Sequence, residues 1–331
     1  VKIGFFLTGA LQATYADLLH QVRFGEEAGF DAVWLRDRHF HQDFARHPFP
    51  SPFVVASFLA ASFKRLRIGI GCKVLPLDHP LHVAEDAATV DVLSGGRLEL
   101  GVARGGEHAL CRAGFGIPDH ETRGRFEESL EILLQAWTQP TVAFQGKYYQ
   151  VPEVPVFPKP VQSPHPPLFV GGRSPQTIAL AAAKGFSLII PAAQRVSDIE
   201  RTLELYFRLR EEAGLPADAL VPINRFLYVA ESNEQARAEL EQPFMTFMFK
   251  DTDIREYLFL PDRAITYEKL LEEVAIVGDP DTCLRKIQAL NERLGLRYLI
   301  CTFNYHTLPH AKSLHSMTLF AQHVLPHLSD P

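Results

Sequence analysis

Cysteine is scarce in this chain. Four cysteines stand at positions 72, 111, 283 and 301, and none forms a C-x-x-C pair. That spacing argues against a disulfide framework and against a thiolate zinc site, and it fits a reducing, cytoplasmic compartment. Charge of one sign is equally sparse. With a formal net charge of -6 and no block of five or more like charges, the chain is poorly suited to wrapping nucleic acid or coating an anionic membrane. The apolar run Lys2–Leu7 is too short for a signal peptide. No stretch approaches the roughly 20 apolar residues that span a bilayer. The chain has no G-x-x-x-x-G-K-[ST] and no G-x-S-x-G, which removes a P-loop and a nucleophile elbow. Gly69-Ile70-Gly71 begins like a dinucleotide fingerprint, but Val74 takes the position of its last glycine.

What is present is a globular composition, 47% hydrophobic and 22% charged over 331 residues. That is enough apolar material for one large core, and (β/α)8 barrels of this size run as single domains, so one domain over residues 1–331 is expected. Short apolar runs alternate with longer amphipathic ones from end to end, the pattern of a parallel sheet with helical crossovers. Eight strands are predicted: Lys2–Leu7, Asp31–Arg36, Leu66–Leu75, Arg97–Ala103, Pro167–Gly171, Phe186–Ile190, Pro222–Ala230 and Arg297–Phe303. Between them, segments such as Tyr15–Ala28 carry apolar residues at helical spacing. The fold class expected is α/β, a (β/α)8 TIM barrel. Two segments interrupt the rhythm. Gln139–Pro166 is rich in proline and reads as a small hairpin. Pro243–Ala264 is rich in Phe, Tyr, Met and Leu and reads either as a lid or oligomer contact, or as an extra helix on the barrel wall.

In such a barrel the chemistry sits on loops that follow the strands. After the second strand come Asp37, Arg38, His39, Phe40 and His41. His39 and His41 form H-x-H, which on some barrels supplies two metal ligands. The further ligands such a site needs are missing, because strand five ends in Gly171-Gly172-Arg173 and strand six in Pro191-Ala192-Ala193, so no metal site is expected. An anion site has more support. Arg104 follows strand four beside Gly105 and Gly106, where glycine lets a ligand approach the backbone and a guanidinium can fork onto phosphate. Arg123 lies at the start of the next helix. After strand five, Gly172 leads into Ser174 and Pro175, an N-cap with proline at the first helical position; free N–H groups there, with the Ser174 and Thr177 hydroxyls, suit a phosphate. Ser174 would serve equally as a cap alone. In strand three, Gly71 and Cys72 present small side chains on which a flat ring could rest, although glycine in a strand also marks bulges and close packing.

Taken together these windows resemble the bacterial luciferase-like family of flavin-dependent monooxygenases and its relatives that use coenzyme F420. The motifs are Gly29–Trp34, His79-Pro80 with Glu85-Asp86, Leu93–Leu98, Gly101–Gly105, Val277–Pro280 and Val324–Pro326, in that order along nearly the whole chain. The resemblance implies a (β/α)8 barrel with a strand-three bulge and a non-proline cis peptide, which would fall at Gly71-Cys72. It implies that FMN phosphate is held by Arg104, Arg123, Ser174 and Thr177. A separate flavin reductase would supply reduced FMN, oxygen would add at its C4a carbon, and the peroxide would oxygenate a small organic substrate. Three readings follow: an FMN-dependent monooxygenase, an F420-dependent hydride-transfer enzyme, and a flavin binder without turnover. A homodimer through helices near strands two and three is implied as well. One departure stands out. The family's luciferases carry an acid and two histidines after strand two, whereas this chain has Asp37, Arg38 and His39. A guanidinium stays protonated and cannot act as a base, so His39 becomes the acid–base candidate, Asp37 its orienting partner, and Arg38 a group for an anionic oxygen or an acidic substrate. The luciferase reactive-cysteine position is Ala103 here.

Overall fold

The computed structural model describes residues 1–8, 14–40, 51–105, 109–250, 265–305 and 307–328. Strands and helices alternate as the sequence predicts, and the element order is of the (β/α)8 class. The chain divides into two compact units, one built mainly from Val1–Trp34 and Arg173–Pro331, the other mainly from the loop that begins at Leu35 and from Phe49–Gly172.

In the first unit, β1 (Lys2–Leu7) pairs in parallel with the strand Tyr298–Thr302, in register Lys2 with Tyr298. That C-terminal strand pairs on its other side with Pro222–Val229. Both faces of these strands are buried, which is why they read as continuous apolar runs rather than alternating ones. The first helix, α1 (Tyr15–Ala28), starts at a reciprocal cap in which the Thr14 hydroxyl accepts from Asp17 N–H and Asp17 accepts from Thr14 N–H. It stops at Gly29, whose φ of 89° is left-handed. A ninth parallel strand, Ala275–Gly278, pairs with the C-terminal half of Pro222–Val229. In the sequence this stretch shows only as part of the Val277–Pro280 motif.

Of the two readings given to Pro243–Ala264, the described part is helix. Asn233–Lys250 is continuous through Pro243. Phe244, Phe247 and Met248 sit in a core with Phe226, Tyr267 and Tyr305, and Phe244 and Tyr305 meet edge to face at 5.4 Å. Residues 251–264 lie outside the described residues.

The second unit carries the strands Arg67–Val74, Leu98–Ala103 and Leu168–Gly171, paired in parallel in that order. The predicted hairpin is present as the strands Thr141–Gln145 and Gln150–Pro155. The Leu93–Leu98 motif turns out to be structural. Gly95 and Gly96 adopt left-handed φ of 67° and 81°, and Arg97 donates to the carbonyls of Ala60, Phe63, Leu66 and Ser94. One guanidinium thus satisfies four carbonyls, among them those at the end of α2 (Pro52–Ser62), and locks the N-terminal side of the strands. Buried Asp91 accepts from the N–H groups of Val161 and Gln162 and from the Gln162 amide, which ties the proline-rich segment down.

Candidate active site

The site begins with a two-against-one bulge. Ile70 pairs with Leu100 and Lys73 with Val102, so Gly71 and Cys72 together face Gly101 alone. The peptide between Gly71 and Cys72 is cis. The bulge explains two glycines that pattern reading left unassigned. A Cβ on Gly101 would lie 2.6 Å from the Ile70 carbonyl oxygen, and one on Gly171 would lie 2.6 Å from Cys72 Sγ. The Cys72 thiol is therefore seated in a slot that exists because the next two strands, Leu98–Ala103 and Leu168–Gly171, carry hydrogen instead of a side chain at these positions.

Past the bulge, Lys73 is 5% exposed and its ammonium lies 2.9 Å from Asp37 Oδ2 and 2.6 Å from Asp78 Oδ2. Asp37 belongs to the loop after the strand Ala32–Leu35, with no side-chain exposure. It also accepts from Val74 N–H at 3.0 Å and meets His39 Nε2 at 3.1 Å. Burial pushes this carboxyl upward, but the hydrogen bond from His39, the nearby Lys73 ammonium and the Val74 N–H outweigh it and hold the pKa below the usual carboxylate range. For Lys73 burial acts downward, and Asp37 and Asp78 outweigh it, so the ammonium is held above its ordinary value. An ionised Asp37 accepts only, so the contact places a hydrogen on His39 Nε2. The ring's other nitrogen, Nδ1, points away from the carboxylate. Phe115 packs edge-on against the imidazole at 4.9 Å and Phe40 lies 5.9 Å away. Cys111 donates its S–H to the His39 carbonyl. Arg38 is half-buried in the same loop.

Gly105 has a left-handed φ of 70°, and a Cβ there would collide with Cγ1 of Val74, the residue that caps Asp37. Next to it, half-buried Arg104 donates to Thr122 Oγ1 at 3.3 Å, and Thr122 donates to the Asp119 carbonyl. Thr122 opens the helix Thr122–Thr138, so Arg104 is joined to the residue beside Arg123. Arg123 pairs with Glu127 at 3.6 Å, and its side chain is 36% exposed.

In the first unit, the chain that follows Gly172 carries the expected cap. Ser174 Oγ accepts from Thr177 N–H at 3.3 Å at the start of the helix Pro175–Ala183 and lies 2.9 Å from Thr177 Oγ1. Two hydroxyls share one hydrogen there, so one O–H of the pair is directed elsewhere.

The second unit thus brings together Asp37, His39, Gly71, Cys72, Gly105, Arg104 and the start of the Arg123 helix. His41 and Gly106 lie outside the described residues. Among the described residues no cluster of three or more His, Cys, Asp or Glu side chains is arranged for a metal ion, and no helix is long and apolar enough to cross a membrane. Lys73, Asp78 and Thr122 were missed by the sequence reading. Lys73 had a signal: it is the one charged residue in Ile68–Leu77, and a charge inside a buried strand is normally paired.

A mostly parallel α/β sheet with a bulged third strand is of the (β/α)8 class. The chain belongs to the luciferase-like monooxygenase family, whose profile matches residues 1–298. The protein y4wF of Sinorhizobium fredii (strain NBRC 101917 / NGR234) is 29% identical over 316 residues, covering 93% of this chain and 90% of that one. The oxygenase component of flavin-dependent trigonelline monooxygenase of Acinetobacter baylyi (strain ATCC 33305 / BD413 / ADP1) is 27% identical over 225 residues, 67% of this chain and 61% of that one. Among solved structures, the monooxygenase RslO1 from Streptomyces bottropensis has a TM-score of 0.84 at 26% identity, covering 99% of this chain and 100% of that chain.

Proposed function

We propose that this chain, acting as a single domain, is the oxygenase of a two-component system that takes reduced FMN from a separate reductase and oxygenates a small organic substrate. The observation that carries the reading is the couple of buried Asp37 and half-buried His39 beside the bulge at Gly71-Cys72. Reduced flavin supplies two electrons that, with O2, place one oxygen atom in the substrate and release the other as water. The chain's own residues would then bind, orient and move a proton. His39 Nδ1 would accept or return the proton, with Asp37 fixing the ring through Nε2. Arg38 would face the anionic oxygen that develops. Gly71 and Cys72 would floor the ring, and Arg104, Gly105, Arg123 and Gly172 would serve the phosphate.

Arg104 fits that part because its partner is a neutral hydroxyl, which leaves its charge for a phosphate. The arginines around it favour FMN over F420, whose acidic tail needs a basic path. Arg112 is matched by Asp119 and Arg125 by Glu121. The family's light-emitting chemistry is not proposed, since Arg38 stands where its catalytic histidine would be. A cytoplasmic homodimer is proposed through α2, which exposes Val54 and Phe58 and packs on the helix Pro80–Ser94, itself exposing Val92 and Leu93.

The test is a titration of the purified protein with FMN, reduced FMN and F420, followed by absorbance and fluorescence. Preference for reduced FMN is expected, with Arg104→Ala weakening it by about one to two orders of magnitude, the worth of a charge-assisted hydrogen bond. Tight F420 binding without preference for reduced FMN, or an unchanged affinity in Arg104→Ala, would overturn the assignment.

A further inference from the structure

We propose that Lys73 is a positioning residue for His39, neutralising Asp37 from behind so that the imidazole stays uncharged, with its hydrogen on Nε2 and its lone pair on Nδ1. The inference rests on the reading of His39 as the acid–base group.

The geometry is a relay of charge through one carboxylate. Asp37 Oδ1 meets the imidazole, and Oδ2 takes the ammonium and the Val74 N–H. A buried carboxylate with only an imidazole for company would draw a proton onto the ring and form an ion pair. Such a ring has no lone pair to offer. With Lys73 at 2.9 Å the carboxylate is already matched, yet it still accepts from Nε2–H and so still fixes the tautomer. Asp78 holds the ammonium from the other side at 2.6 Å, and its own side chain is 42% exposed, so it anchors Lys73 without adding a second fully buried anion. Among the described residues, the helix Pro80–Ser94 brings a further titratable group to this cluster. Asp86, raised first by its own burial, interacts with Lys73, Asp78, His82 and Glu85. On the side of His39 the helix Ala109–Gly114 contributes Arg112, which is spent on the Gly105 carbonyl and Asp119. Phe115 adds only an aromatic edge.

A purely structural lysine would hold the bulge and leave the histidine alone. The two roles separate in a titration of the full-length, cofactor-free protein carrying 15N-labelled histidine, with the His39 signals identified through His39→Gln. In the wild type the neutral ring is expected in the Nε2–H form. In Lys73→Met the pH at which the His39 signals titrate should move up by about one unit or more, as expected for an imidazole left beside an unmatched carboxylate. Lys73→Arg should restore the wild-type behaviour. Lys73→Gln keeps a donor for Asp37 but loses the charge, and it should reproduce the upward move should Lys73→Met fail to fold. A His39 titration unchanged in folded Lys73→Met or Lys73→Gln overturns the proposal. Should the NMR midpoint move while the pH profile of oxygenation does not, the part that fails is the acid–base role of His39, and the coupling to Lys73 stands.

Discussion

The slot that seats Cys72 makes a quantitative prediction. Gly171→Ala places a methyl 2.6 Å from Cys72 Sγ, about 1 Å inside ordinary contact. A Cβ built on Gly101 would stand 3.1 Å from the same sulfur, so the backbone of the adjacent strand lies close on that side. Gly171→Ala should therefore cost about 2 kcal/mol, in the middle of the range for overpacking. Cys72→Ala alone removes one partly exposed sulfur and should cost about 1 kcal/mol. Independent effects would sum to about 3 kcal/mol. In the double variant the added methyl fills the space the sulfur vacated, so the expected cost is about 1 kcal/mol and the coupling about -2 kcal/mol. Gly101→Ala is the internal control. Its methyl meets the Ile70 carbonyl oxygen at 2.6 Å, a backbone atom, so Cys72→Ala should not rescue it. The assay is equilibrium urea unfolding read at constant m, with flavin affinity measured alongside. Additive costs in the Gly171–Cys72 pair, or equal rescue of Gly101→Ala, would refute the bulge geometry and with it the proposed floor of the site.

Phe244→Ala should lower stability by about 3–5 kcal/mol in the same assay, because a fully buried core ring is removed; a loss below about 1 kcal/mol with altered substrate affinity would return this part of the helix to the role of a lid. Asp37 is held below its ordinary value in the folded state, so its contribution is complete above that ordinary value and is lost as pH falls through the lower, folded one. Asp37→Asn should accordingly flatten the acid limb of stability against pH in denaturation series, and parallel limbs in the two proteins would count against the assigned bonds. Phe58→Glu, on an exposed face of α2, should shift the sedimenting species toward the monomer; an unchanged mass would move the proposed interface elsewhere.

Much of the fold is legible because strands buried on both faces announce themselves as apolar runs. Lys2–Leu7 and Tyr15–Ala28 have the expected boundaries, and most other strands differ by about a residue at an end. Ala275–Gly278 escaped because four residues are too few to show a period, although Gly278-Asp279-Pro280 ends it with the same turn-cap-proline logic as Ser174-Pro175. The run from Pro243 was ambiguous for a different reason: apolarity says that a surface is covered but not by what, and here the cover is Phe226, Tyr267 and Tyr305. The site was legible where its parts are local. Asp37 and His39 are two residues apart and Ser174 caps its own helix. Lys73 belongs to Asp37 across 36 positions, and only the loop after one strand meeting the bulge of the next brings them together.

The pairing of β1 with Tyr298–Thr302 also sets an order of events during synthesis. Most of the second unit is one uninterrupted stretch ending at Gly172, so the three parallel strands described in it are complete once residue 172 has been made. The partner that Lys2 needs is Tyr298. At translation rates of about 5–20 residues per second that partner emerges on the order of 6–25 s later. Throughout that interval the edge of the first strand destined for Tyr298 lacks its native neighbour, and an unpaired edge invites association with other chains. The strand Tyr298–Thr302 is therefore the one that retires this hazard, and chains truncated before residue 298 should be markedly more prone to aggregate than chains that end just after residue 302.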